Sequence, residues 1–146
     1  MKNEPTRNRI LLDTKPLIKL FAQEDGWEAV QKILTCVENG EIEAAISVVT
    51  LTEIYYKYVH QKRADLAKTR VEELKYATYV RKLSLNEDAA IMAGEFKGKY
   101  GVPISDAFIA ATAYFDDSTV ITDDVDFKKI VEIKTLTEKE LLQRGV

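Results

Sequence analysis

The residues of this chain best equipped for chemistry are carboxylates: Asp13, Glu53, Asp106, and the group Asp123, Asp124 and Asp126. Asp13 closes the apolar run Ile10-Leu11-Leu12, Glu53 follows Ala44-Ala45-Ile46-Ser47-Val48, Asp106 precedes an Ala-rich stretch, and Asp124 follows Val120-Ile121-Thr122. Acids this far apart in sequence can meet only if the fold gathers the ends of several elements at one rim. Hard oxygen donors gathered there suit Mg²⁺ or Mn²⁺. Four carboxylates sharing a pocket repel one another and raise at least one pKa; a divalent cation reverses that balance and lets all stay ionised. Any one of these acids, taken alone, reads more simply as a helix N-terminal residue that complements the macrodipole. Asp13 resists that reading most, because a carboxylate ending a Leu-Leu run is partly desolvated and needs a cation or donors. No Gly-rich phosphate loop competes for the site.

The elements that must position these acids alternate between strand and helix. Arg9-Ile10-Leu11-Leu12-Asp13 reads as a buried strand. A helix starts near Pro16 with Leu17, Ile18, Leu20 and Phe21 on one face, and a second covers about residues 27–37 before Asn39-Gly40 stops it. A second strand spans residues 44–48, and Thr50-Leu51-Thr52-Glu53 fits a capping box with Thr50 as N-cap and Glu53 in the first turn. Helices to about residue 61 and over about residues 64–77 form an αα-hairpin standing out from the sheet. Residues 79–83 alternate as a strand, and Asn86 caps a helix to about residue 99. Ser105 caps a helix opening at Asp106, whose alanines allow close packing. Residues 120–122 form a strand, followed by a helical turn near residues 127–130, a weak strand near 131–133 and a helix over about 138–143. This alternation predicts an α/β three-layer sandwich with a mainly parallel central sheet, whose ligand site lies beyond the carboxyl ends of its strands.

The chain has 146 residues, 46% hydrophobic and 31% charged, which predicts one domain over residues 1–146 built on one core. No apolar run approaches the ~20 residues that span a bilayer, and the polar start Met1-Lys2-Asn3-Glu4-Pro5 is unlike a secretory signal, so a cytoplasmic protein with no membrane partner is expected. Cys36 has no partner in the chain, which excludes an internal disulfide and reads as a small buried side chain. The net charge of −3 confines any surface for nucleic acid to a local patch.

Four segments carry a resemblance. Ile10-Leu11-Leu12-Asp13-Thr14, Ile46 through Glu53-Ile54, Ile104-Ser105-Asp106 through Thr112-Ala113, and Val120-Ile121-Thr122-Asp123-Asp124-Val125-Asp126-Phe127 resemble, in order, the four motifs of the PIN-domain nuclease family, over roughly residues 9–133. The resemblance implies that Asp13, Glu53, Asp106 and Asp124 are the catalytic and metal-holding quartet. It makes Asp126 an accessory metal ligand, gives Thr14 and Thr122 the role of orienting the carboxylates, and leaves Asp123 at a variable position. It also implies metal-dependent endonucleolytic cleavage of RNA, a homodimer, and the toxin role of a VapC-type toxin–antitoxin pair, with an antitoxin protein as partner. A PIN-like scaffold that binds RNA or protein without cutting it is the competing reading, favoured by the acidic pI and opposed by the intact quartet. Asp13-Thr14-Lys15 lacks the second Asp two residues on that a haloacid-dehalogenase-type phosphatase requires. A DNA nuclease would use the same acids.

Substrate-binding residues are not fixed by these motifs. Lys15, Lys19, Lys57, Lys62, Arg63, Lys97 and Lys99 are candidate phosphate contacts, and Tyr55, Tyr56 and Tyr58 are candidates to stack on unpaired bases. Leu51, Ile54, Tyr55 and Tyr58 equally fit a packing stripe. His60, seven residues beyond Glu53, falls on the same helix face as that acid, although a lone surface histidine is the simpler reading.

Overall fold

The computed structural model describes residues 9–145. A five-stranded, wholly parallel sheet runs in the order β3-β2-β1-β4-β5, with β1 Arg9–Leu12, β2 Glu43–Ser47, β3 Val80–Leu83, β4 Thr119–Ile121 and β5 Thr135–Leu136. Helices α1 (Thr14–Ala22) and α2 (Trp27–Glu38) join β1 to β2, α3 (Val48–His60) and α4 (Ala64–Tyr76) join β2 to β3, and α5 (Glu87–Tyr100) and α6 (Ile104–Asp116) carry the chain from β3 to β4. A 3₁₀ turn, Val125–Lys129, precedes β5, and α7 (Glu138–Gln143) follows it. The result is the expected three-layer α/β sandwich.

The pleat of β1 explains the two cores. Ile10 and Leu12 pack on one face with Leu17, Ile33, Ile54 and Leu141, whereas Leu11 packs on the other with Phe96, Ala107, Ala110 and Phe127. Ile10, Leu11 and Leu12 are each at most 1% exposed. Burying each contributes about 1.5–3 kcal/mol, so the strand that ends at Asp13 is also an anchor of the fold. The chain steps from β1 to β2 on one side and returns to β4 on the other. The crevice between the carboxyl ends of β1 and β4 is therefore the switch point, where parallel α/β sheets bind ligands.

Several boundaries differ from the sequence reading. Ser47 caps α3, its hydroxyl accepting from the Val49 N–H at 3.1 Å, so the chain passes from strand to helix with no loop. Thr50 is then buried in the first turn, and the expected Thr50/Glu53 capping box does not form. The cap of α6 is Pro103, whose extended backbone leads into Ile104, which moves Ser105 and Asp106 into the first turn. The last strand lies at Thr135–Leu136 and not at residues 131–133: Val131 is 78% exposed, and Glu132 is taken up by Lys99 and Tyr100. Helices α3 and α4 do form a hairpin, but Tyr58, Ala67 and Leu74 are buried in the sheet's core, so the pair is seated on the sheet. Cys36 is half-buried at the edge of that core. Among the described residues, no helix is long and apolar enough to cross a membrane.

Candidate metal centre

Asp13 is both the residue after β1 and the N-cap of α1, because the strand turns into the helix without a connecting loop. Its backbone N–H donates to the Ile121 carbonyl at 3.2 Å, which ties it to β4. Its Oδ1 accepts from the Thr14 N–H at 2.7 Å and its Oδ2 from the Thr122 hydroxyl at 2.8 Å. A carboxylate has about four lone-pair sites, so two remain for another ligand. Thr122 in turn accepts from the Asp124 N–H at 2.9 Å, and Asp124 Oδ1 accepts from the Asp126 N–H at 2.9 Å. Three acids are thus threaded on one chain of hydrogen bonds across the β1–β4 crevice.

Glu53 arrives from the second turn of α3, where its Oε1 accepts the Thr14 hydroxyl proton. Since that hydroxyl has one proton, the 3.0 Å contact between Thr14 and Thr50 assigns Thr50 as donor to Thr14. Asp106 enters from the first turn of α6, where the helix N-terminus favours negative charge. Asp13, Glu53, Asp106 and Asp124 line one depression of about 470 Å³, together with Thr14, Lys15, Ile18, Glu24, Tyr56 and Lys57. Asp106, Asp124 and Asp126 each present a carboxylate oxygen within 4.8 Å of the other two, a trio that fits one small cation.

Electrostatics set this cluster apart from ordinary surface acids. Burial pushes Asp13 up to about 6, against the opposing hydrogen bonds from Thr122 and Thr14 and with help from the charges of Glu53 and Asp124. Asp106 is pushed further, to about 7, by burial and then by Asp13, Asp124, Glu53 and Asp126, in that order. This donor set fits a hard divalent cation: it is all oxygen and it is closely spaced.

Other residues singled out by sequence fall in different places. Lys15 and Lys57 line the depression. Lys19 does not reach it as a free cation; its ammonium lies 3.1 Å from Asp123 and 3.3 Å from buried Glu138, tying α1 to the segment after β4 and to α7. Arg63 pairs with Asp65, Lys97 donates to the Val102 carbonyl and Lys99 pairs with Glu132. Tyr58 is buried, Tyr55 is half-exposed and away from the depression, and Tyr56 lines it. His60 is exposed and stacks on Tyr56. Sequence reasoning missed Glu24, which lies at the end of α1 with no apolar frame to mark it, and Thr50, whose buried hydroxyl supports Thr14.

The chain is thus a parallel α/β sandwich that gathers carboxylates at its switch point. It belongs to the PIN-domain family, whose pattern it matches over residues 10–133. None of the curated proteins compared with it matches. Its fold is similar to that of a chain in the VapBC2 structure from Rickettsia felis bound to a promoter DNA fragment, with a TM-score of 0.72, 16% identity, and 88% of this chain and 98% of that one covered. It is also similar to a chain of the DNA-bound VapBC structure from Salmonella typhimurium, with a TM-score of 0.70, 20% identity, and coverage of 90% and 98%. A chain of the VapBC-5 toxin–antitoxin structure from Mycobacterium tuberculosis gives 0.59 at 25% identity, with coverage of 88% and 98%.

Proposed function

We propose that this protein is a metal-dependent endoribonuclease and the toxin of a toxin–antitoxin pair, with Asp13, Glu53, Asp106 and Asp124 as its acidic quartet and Asp126 beside them. The observation that carries this reading is the convergence of the quartet on one depression, with Asp106 held at about 7 by burial and four negative neighbours. An arrangement so costly without a cation is explained by a site that holds Mg²⁺ or Mn²⁺. The likeness to chains of VapBC structures supports the antitoxin partner.

When bound, a divalent cation lowers the pKa of a water molecule and offsets the charge that builds on the attacked phosphate and leaving oxygen. The chain's own residues hold that chemistry in place. Asp106, Asp124 and Asp126 supply the closely spaced oxygens. Asp13 and Glu53 supply further carboxylate charge, each fixed in orientation by a threonine. Thr122 orients two acids at once, donating to Asp13 and accepting from the Asp124 backbone.

Replacing Thr122 with Val keeps the shape, removes both hydrogen bonds and leaves Asp13 held by the Thr14 N–H alone. Loss of such an orienting partner weakens metal affinity by about 10- to 100-fold. Calorimetric titration with Mn²⁺ measures this directly; an unchanged dissociation constant would remove Thr122 from the site's support. Substrate class is tested by incubating the protein with matched single-stranded RNA and DNA in Mn²⁺. The proposal expects cutting of the RNA, and preferential cutting of the DNA would reassign the enzyme.

A further inference from the structure

Glu53, Tyr56, Lys57 and His60 stand at i, i+3, i+4 and i+7 of α3 and share one face of that helix. At about 1.5 Å of rise per residue, the strip extends on the order of 10 Å from the acid to the imidazole. Tyr56 and Lys57 line the acidic depression beside Glu53. The Tyr56 ring stacks on His60 with centroids 5.8 Å apart and planes 22° from parallel. Tyr56 is 66% exposed, whereas Tyr58 on the inner face of the same helix is 6% exposed in the core. Packing therefore accounts for Tyr58 and leaves Tyr56 unexplained.

Charge points the same way. Lys15 and Lys57 line this depression, and neither has a salt bridge among the described residues. Two ammonium groups beside a carboxylate cluster, paired with none of the described carboxylates, are available to an incoming anion. A phosphodiester approaching these acids needs such cations against repulsion, and its base needs an apolar plane to leave water. An apolar protein side chain could cover Tyr56 too, but would bury the ammonium groups without partners. A nucleotide satisfies both.

The geometry points to Tyr56, backed by His60, as a stacking platform for an unpaired base, with Lys57 and Lys15 holding the adjoining phosphates. This rests on the ribonuclease reading above and assigns the residues of this chain that hold a base and its phosphates beside the acids. A base inside a duplex already has both faces stacked and cannot occupy the platform.

Fluorescence anisotropy of a labelled single-stranded RNA, and of the fully paired duplex of the same sequence, tests this with the full chain and with Ca²⁺ replacing Mn²⁺, so that binding is read apart from cutting. Tyr56→Phe keeps the π face and binds the single strand within about 2-fold of wild type. Tyr56→Ala and Tyr56→Leu lose the stack and bind it about 5- to 150-fold more weakly, while duplex affinity is unchanged. Lys57→Ala weakens binding to both forms and lowers the salt dependence by about one charge. Equal single-strand affinity in Tyr56→Ala and wild type overturns the platform, as does an equal loss for single strand and duplex, and the first result would assign the aromatic pair to a protein partner. Cleavage by the wild type in Mn²⁺ separates the two readings. If RNA is cut while Tyr56→Ala binds normally, the platform alone falls; if wild type neither binds nor cuts RNA, both fall. Because the ring is exposed, all Tyr56 variants melt with the wild type.

Discussion

Asp13→Asn lowers metal-dependent RNA cleavage by at least about 100-fold and leaves the protein folded. The lower bound follows from the 10- to 100-fold effects of groups that only orient a ligand, since Asp13 carries the charge itself. Folding survives for a specific reason. The asparagine side chain can present its carbonyl to the Thr14 N–H and its amide to the Thr122 hydroxyl, which has lone pairs for that donor as well as for the Asp124 N–H. The substitution also removes a charge that is 5% exposed and whose pKa burial has raised to about 6. Loss of cutting with an unchanged or higher melting temperature is the expected pair of results. Cutting near the wild-type rate would remove Asp13 from the quartet.

A second large effect is expected in stability against pH. Asp13 and Asp106 titrate at about 6 and about 7 in the folded metal-free protein, against an ordinary value of 3.8. Between roughly pH 4 and 7 the folded state therefore binds more protons than the unfolded state, and metal-free stability falls as pH rises through that window. Below about pH 4 both states are protonated, and these groups add no further slope. A cation removes the penalty at high pH: at 100 times its dissociation constant it adds about 2.7 kcal/mol. For a chain of this size that is about 5–10 °C in melting temperature. The gain shrinks towards pH 5.5, where protons compete for the same oxygens. Asp106→Asn flattens the metal-free slope, raises the melting temperature at pH 8 and abolishes most of the Mn²⁺ shift. Thermal melts of both proteins at pH 5.5 and 8, with EDTA or Mn²⁺, decide the matter. Parallel pH slopes in the two proteins would show that Asp106 is not electrostatically strained.

The fold was legible where one physical signal dominated. Ile10-Leu11-Leu12 has apolar side chains on both faces of a strand, as a central strand of a covered parallel sheet requires, and the cores on its two sides confirm it. Asn86 and the terminal helix were equally clear, because side-chain caps mark both. Signals that compete locally were misread. Ser47 and Thr50 are both good caps, and the choice fell to Ser47 because β2 runs directly into α3, a tertiary condition that sequence spacing does not encode. Ser105 lost to Pro103 because the fixed φ of proline leads straight into the helix at Ile104, without any side-chain cap to mark the start. The β5 strand is two residues long and held by pairing with β4, too short for any periodicity to show.

The acids were legible as a set because each follows or opens an element marked by an apolar run, although Glu53 lies one turn deeper in its helix than spacing suggested, and the structure gathers Asp13, Glu53, Asp106 and Asp124 at one depression. Their support was only partly legible. Thr14 and Thr122 follow from the motifs, whereas the Thr50 hydroxyl behind Thr14 depends on how close α1 and α3 approach. The fate of the lysines could not be read at all. Lys19 and Lys15 lie one turn apart on α1, yet one is locked between Asp123 and Glu138 and the other faces the pocket. Helical phase places both near the rim, and the positions of α7 and of the segment after β4 tell them apart.

The central claim is that this acidic pocket cuts RNA with a divalent cation, and cleavage of a labelled single-stranded RNA by purified protein freed of any bound partner tests it most directly. The reactions contain wild type with Mn²⁺ or Mg²⁺, wild type with EDTA, and Asp106→Asn with Mn²⁺. Cutting in the first, abolished in the second and third, is the predicted result. Cutting that persists in EDTA or in Asp106→Asn, or RNA left intact by wild type with both metals, would contradict it.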